Sequence, residues 1–291
     1  MNPNGRTNNM KLIDVIVGFF KSLFGRKVDG NCGDCSDRTV CQTTDRNKKY
    51  VVIVGMETSK WGVCSGADQD SNTMLSLIKQ YVDSDHIVKL NNKQATVAAV
   101  RKSLEDQIAK VPEDGLFIFT YSGHGGQYPK SHGSKNETDG QDEFLCLFDG
   151  PMIDDDLWTM FGRCKGRVLF VADCCHSGTM YRLPSVGGAE TDEELLERES
   201  LERPFFSKYE NVRDVMRRML VFSGCGEETV SWGDAKNGGV MTSSMKRAFN
   251  KCLTYREWWR AFRADSSFKR VRQVPICTKI GAFDLNAKIF N

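Results

Sequence analysis

The stretch VLFVADCCHSGT, residues 168 to 179, decides how the chain is read. An apolar run stops at an acid, and two cysteines, a histidine and a glycine follow at once. The run is short, rich in β-branched residues and apolar on both alternating faces, which predicts a strand buried on both sides. Free cysteine is among the most buried residue types, so two thiols at its end could simply be packing. The other reading is that one of them is a nucleophile.

Similar text recurs outward from this point. YVVIVG (50–55), HIVKL (86–90), GLFIFTYSG (115–123), RMLVFSGC (218–225) and VPICTKIG (274–281) all read as strands. Pro275 favours the start or the edge for the last of them. Helical spacing fills the intervals. Met74, Leu77, Ile78, Tyr81 and Val82 share a face over 72–82, as do Val97, Val100, Leu104 and Ile108 over 96–111. A further helix is expected over 240–253 with Thr242 as its cap. Thr254 and Glu257 form a capping box before Trp258 and Phe262. Buried strands alternating with helices predict an α/β fold: a mostly parallel sheet of six or more strands with helices on both faces.

Size and composition exclude other classes. The chain has 291 residues, 40% of them hydrophobic and 27% charged, with net charge +2 from 40 basic and 38 acidic side chains. That balance, without a basic stripe interleaved with aromatics, gives no case for nucleic acid. The longest apolar run, LIDVIVGFF, is too short to span a bilayer and carries a charge, so no transmembrane span is expected. Eleven cysteines without regular spacing argue for free thiols in a reducing, cytoplasmic compartment. Residues 1–48 differ from the rest: an amphipathic helix (Leu12, Ile16, Phe19, Phe20, Leu23), then a polar linker with Cys32, Cys35 and Cys41. The helix could lie on a membrane surface, dock as a pro-segment or simply cover the core, and the three cysteines could hold a metal. The peptidase-like text occupies 49–291, with a charged insertion at 184–211.

Ligand sites in such folds lie beyond the carboxyl ends of the strands. SGADQD follows the first strand, SGHGGQ the third, DCCHSG the fourth and SGCGEETVSW the fifth. Together they bring a histidine, a cysteine, acids and glycine-rich backbone to one edge. Thiol hydrolysis needs that set: a thiolate to attack, an imidazole to protonate the leaving amine, and backbone N–H groups for the oxyanion.

YSGHGGQ (121–127) followed by DCCHSGT (173–179) resembles the metacaspases, caspase-like cysteine peptidases. The resemblance covers most of 49–283 and implies a caspase-hemoglobinase fold. Caspases are known for a histidine about 50 residues before the cysteine, and His124 precedes Cys175 by 51 positions. Gly66, Ala67, Asp68, Gln69, Asp70 and Met74 match the family's first turn, with Ala67 where the family usually has cysteine. Carried over, His124 is the general acid/base and Cys175 the nucleophile. Gly125 and Cys175 supply the oxyanion N–H groups, and Asp70, Ser122 and Asp173 line the S1 pocket. Asp173 and Cys175 are two apart on extended chain and so point to one side, which suits Arg or Lys at P1. Cys174 and His176 point the other way and are expected to be structural.

The same resemblance implies calcium as an activator at Asp142, Asp154 and Asp155, with no cofactor required for the chemistry itself. Arg182 stands where a further acidic ligand is expected. The plain alternative is that residues 154–156 are the first turn of a helix. Arg198, Arg203 and Lys208 in the insertion are candidate self-cleavage sites. Expected partners are peptides with a basic P1 residue, and the chain is expected to act as a monomer. The competing readings are a catalytically silent caspase-like scaffold, or a redox or metal-binding protein that uses its many cysteines.

Overall fold

A computed structural model describes residues 45–129, 141–174, 218–225 and 230–291, with 128, 129, 141 and 142 as backbone. They fall in a compact unit that begins at Asp45. The N-terminal helix, Cys32, Cys35 and Cys41, and the 184–211 insertion lie outside the described residues.

The centre is a six-stranded sheet. In chain order its strands are β1 (Lys49–Gly55), β4 (Ile87–Asn91), β5 (Leu116–Ser122), β9 (Arg167–Asp173), β10 (Arg218–Ser223) and β13 (Ile276–Gly281). Spatially they run β13-β10-β9-β5-β1-β4. The five from β4 to β10 are parallel, and β13 closes one edge antiparallel, beginning right after Pro275. Every residue of β5 is buried, which is why its text is an unbroken apolar run.

Side-chain alternation sorts the strands onto two cores. One face carries Val52, Val54, Phe117, Phe119 and Phe170 against helices α2 (Val97–Ile108) and α3 (Asp154–Phe161). The other carries Val51, Ile53, Ile118, Leu169 and Phe222. It packs on α1 (Ala67–Ile78), α4 (Val240–Ala248) and α5 (Tyr255–Arg263). Phe222 stacks on Trp259 at 5.8 Å and meets Phe262 edge-on at 5.3 Å, so one strand residue anchors a whole helix.

Several expectations shift. The helix expected over 72–82 starts earlier, at Ala67, because Gly66 turns the chain in the left-handed region (φ 99°). Tyr81 and Val82 are buried in the turn that follows it. The 240–253 helix ends at Ala248, and its N-cap position is Gly239, not Thr242. The Thr254–Glu257 capping box is present as expected. The acidic text after His124 builds a small antiparallel sheet of β6 (Gly125–Pro129), β7 (Gln141–Cys146) and β8 (Pro151–Ile153). Period-two patterning is faint there because the glycines of β6 contribute no apolar side.

β4 lies on one side of β1 and β5 on the other, so the strand order reverses between β1 and β5. A crevice at that switch point is where this class of sheet binds ligands.

Candidate active site

After β1 a small hairpin, β2 (Thr58–Ser59) and β3 (Gly62–Val63), leads to Gly66 and α1. At Gly66 a Cβ would lie 2.4 Å from the Asp234 carbonyl oxygen, so the close approach as well as the backbone angle demands glycine. Asp70 follows within the first turn of α1, where the helix N-terminus favours negative charge.

Asp70 is 2% exposed. Its Oδ2 accepts the Ser122 hydroxyl at 2.6 Å, and the Gly239 N–H donates to both of its oxygens at 2.8 and 3.0 Å. Ser122 ends β5 and is in register with Asp173, which ends β9. Asp173, also buried, accepts the Ser231 hydroxyl on Oδ1 at 2.8 Å. Its Oδ2 accepts the N–H and the O–H of Thr242, each at 2.9 Å. The two carboxylates converge: a Cβ on Gly239 would lie 2.2 Å from Asp173 Oδ2 and 2.9 Å from Asp70 Oδ2.

Burial pushes both carboxyls above the usual range. For Asp70 the negative charge of Asp173 adds to the effect, while the bonds from Ser122 and Gly239 oppose it. Among the described residues neither acid pairs with a cation. Such a hole favours an incoming guanidinium or ammonium, whose charge offsets the cost of burying the acids.

His124 stands two residues past Ser122 and is half-buried. Its carbonyl is held by the Tyr121 hydroxyl at 2.7 Å and the Cys146 N–H at 3.0 Å. The hairpin passes its imidazole: a Cβ on Gly62 would sit 4.0 Å from Nε2. Gly125 opens β6 opposite Leu145. Cys174 is 1% exposed, and its carbonyl accepts the Cys225 thiol at 3.5 Å, as expected of a packing cysteine. Cys175 and His176, the next residues, lie outside the described residues.

The chain therefore brings Asp70, Ser122 and Asp173 together, with His124 just beyond. A caspase-domain family model matches residues 48–282. The chain belongs to the caspase-domain family.

Other members show its breadth. Metacaspase-1 of Candida albicans is 38% identical over 133 residues, 39% of this chain and 29% of that protein. Metacaspase-3 of Trypanosoma brucei brucei is 31% identical over 195 residues, 60% of this chain and 52% of that protein. Metacaspase-3 of Arabidopsis thaliana is 27% identical over 286 residues, 84% of this chain and 75% of that protein. The chain thus spans only 29% to 52% of the length of the first two. Two solved structures share the caspase-like fold. A Geobacter sulfurreducens protein is 23% identical with TM-score 0.61, covering 84% of this chain and 98% of that one. Caspase-1 from Spodoptera frugiperda is 13% identical with TM-score 0.53, covering 82% of this chain and 88% of that one. Family membership makes this a caspase-domain chain related to the metacaspases.

In this caspase domain the calcium candidates are only partly described. Asp154 is buried at the start of α3, and its Oδ1 accepts the Asp155 N–H at 2.9 Å. Asp156 pairs with Arg101. All three acids sit in the first helical turn, where the dipole favours them without any metal. Asp142 pairs with Tyr128 through its backbone, while its side chain, Arg182, Arg198, Arg203 and Lys208 lie outside what is described. No group of three or more His, Cys, Asp or Glu suited to a metal occurs among the described residues. Nor, among them, is any helix long and apolar enough to cross a membrane.

Sequence reasoning missed Ser231, Thr242 and Gly239. The double glycine before VMTSSM was the one available signal, since paired glycines often mark close backbone approach.

Proposed function

We propose that this caspase domain is an endopeptidase that cleaves after arginine or lysine, with Cys175 as nucleophile and His124 as general acid/base. The observation that carries it is the buried pair Asp70 and Asp173, two acids without a described cation at the rim where His124 stands. Ser122 and Asp173 are aligned on neighbouring parallel strands, so positions 124 and 175 each follow their strand end by two residues. Neighbouring strands run about 5 Å apart, which favours contact between the two side chains.

A basic P1 side chain enters the acidic hole and fixes the scissile carbonyl near Cys175. The thiolate adds to the carbonyl carbon, and the N–H groups of Gly125 and Cys175 receive the oxyanion. Collapse breaks the C–N bond while imidazolium gives its proton to the amine, leaving a thioester. Water, deprotonated by the imidazole, then releases the acid and the free thiol. Calcium at Asp142, Asp154 and Asp155, self-cleavage at Arg198, Arg203 or Lys208, and a covering role for the N-terminal segment belong to the same proposal. So do a monomeric state and a reducing cytoplasmic setting, in keeping with eleven cysteines that lack the regular spacing of a disulfide scaffold.

The test is hydrolysis of fluorogenic peptides with Arg, Lys or Asp at P1, with calcium and with chelator. The full chain is compared with Cys175→Ala. Turnover confined to basic P1 and lost in the variant is expected. Turnover that survives in Cys175→Ala, or a preference for Asp, refutes it.

A further inference from the structure

We propose that Gln273 is a positioning residue for specificity: it fixes the direction in which Ser231 donates, and so holds Asp173 as the anion that meets a basic P1 side chain. This deepens, and depends on, the peptidase function proposed above. Gln273 is separated from Asp173 by a hundred positions and is 3% exposed. It follows Arg272, whose left-handed backbone (φ 56°) ends helix α6 (Ser266–Val271) and turns the chain towards β13.

The Gln273 carboxamide has one permitted orientation. Its Oε1 accepts the Trp232 backbone N–H at 3.0 Å, and a backbone N–H can only donate. Its Nε2 donates to the Gly224 carbonyl at 2.7 Å, and a carbonyl can only accept. Flipping the amide would set donor on donor and acceptor on acceptor. The second hydrogen of Nε2 therefore points at Ser231 Oγ, 3.2 Å away. With that oxygen engaged as an acceptor, the hydroxyl proton turns to Asp173 Oδ1 at 2.8 Å. Space around the relay is tight, since a Cβ on Gly224 would lie 2.2 Å from Ser231 Oγ and 2.9 Å from Asp173 Oδ1.

Asp173 Oδ2 faces the Thr242 N–H, again a pure donor. Each of its oxygens thus faces a donor of fixed direction, and the Thr242 hydroxyl adds a third bond at Oδ2, a set that favours the anion over the acid. Asp70 is under no such constraint. One N–H, from Gly239, is shared between its two oxygens, and its other partner, the Ser122 hydroxyl, can donate or accept. Two carboxylates this close do not both ionise freely in a dry site. The hydrogen-bond directions decide the division: Asp173 carries the charge and Asp70 holds the proton.

The experiment compares peptides with P1 arginine and P1 citrulline, its neutral isostere, on the full chain, Gln273→Leu, Ser231→Ala and the double variant. Each single variant is expected to lower the arginine-to-citrulline ratio of kcat/KM about tenfold, mainly through KM for the arginine peptide. The double variant should lose no more than Ser231→Ala alone, because Gln273 acts through Ser231. An equal fall for both peptides, or additive losses, overturns the proposal. If Gln273→Leu does not fold, an unchanged ratio in Ser231→Ala overturns it by itself. A wild type that cleaves neither peptide overturns the peptidase function, and this inference with it. A wild type with arginine preference and variants that keep it overturn this inference alone.

Discussion

Gly239→Ala isolates the acidic hole with a single methyl group. The backbone there, φ −65° and ψ 147°, is open to any residue, so alanine brings no conformational strain. What it brings is volume: the new Cβ would lie 2.2 Å from Asp173 Oδ2 and 2.9 Å from Asp70 Oδ2. Asp173 must retreat by roughly 1 Å to reach ordinary contact. That motion stretches its two bonds from Thr242, each 2.9 Å, beyond useful length. Hydrogen bonds to charged groups contribute about 1.5 to 3 kcal/mol each. Losing the benefit of one or both at the moment of binding lowers kcat/KM for an arginine peptide by at least about tenfold, at 1.4 kcal/mol per decade. A control is Gly150→Ala, whose Cβ would meet nothing closer than a Val97 methyl at 3.2 Å. Its kcat/KM should stay within about twofold of the parent, since Gly150 touches neither acid and its one close neighbour is a side-chain methyl that needs to give by only a few tenths of an ångström. The assay is steady-state hydrolysis beside a urea unfolding curve. Gly239→Ala protein that is folded and retains kcat/KM within about threefold would refute the idea that these two carboxylates grip the P1 side chain.

Three further outcomes are expected. The Lys49 amine is buried on β1 without a hydrogen-bond partner among the described residues, and burial, with the Arg167 charge, pushes it down to about 8. Between that value and the ordinary 10.5 the unfolded chain binds a proton that the folded chain refuses, so stability rises with pH across the window. Lys49→Met should therefore stabilise by about 2 kcal/mol at pH 7, fading as pH approaches the upper limit, in urea unfolding at several pH values; a pH-independent gain would count against it. Asp70, pushed up by burial and by Asp173, contributes stability in acid that is lost as pH rises through its folded value. Asp70→Asn should thus gain stability relative to the parent as pH rises above the ordinary aspartate range, while losing at least about tenfold in kcat/KM for arginine peptides. Thr254→Ala breaks a capping box whose bonds are 2.8, 2.9 and 3.2 Å. It should cost about 1 kcal/mol and a few degrees in Tm by calorimetry, with kcat unchanged.

The central strands were legible because a strand buried on both faces writes its environment into a run of four to seven residues. The same holds for Thr254 and Glu257, whose partners are three positions apart. Asp173 was legible as the end of such a run. Helix starts were harder. Gly66 begins α1 through a backbone angle and a contact with Asp234, neither of which leaves a periodic trace. Thr242 looked like a cap because threonine so often is one, yet its hydroxyl is spent on Asp173, 69 positions earlier.

Roles for His124, Asp70, Ser122 and Asp173 rest on the family resemblance; what the amino-acid sequence alone determined is the α/β sheet and the polar and glycine residues at its strand ends. Those signals are local, set by burial and by neighbours a few positions away. Only the tertiary structure decided how the acids are held. Gly239 reaches Asp70 across 169 positions, and Gln273 reaches Ser231 across 42. Hydrogen-bond direction depends on which groups packing brings within 3 Å or so, and no spacing along the chain encodes that.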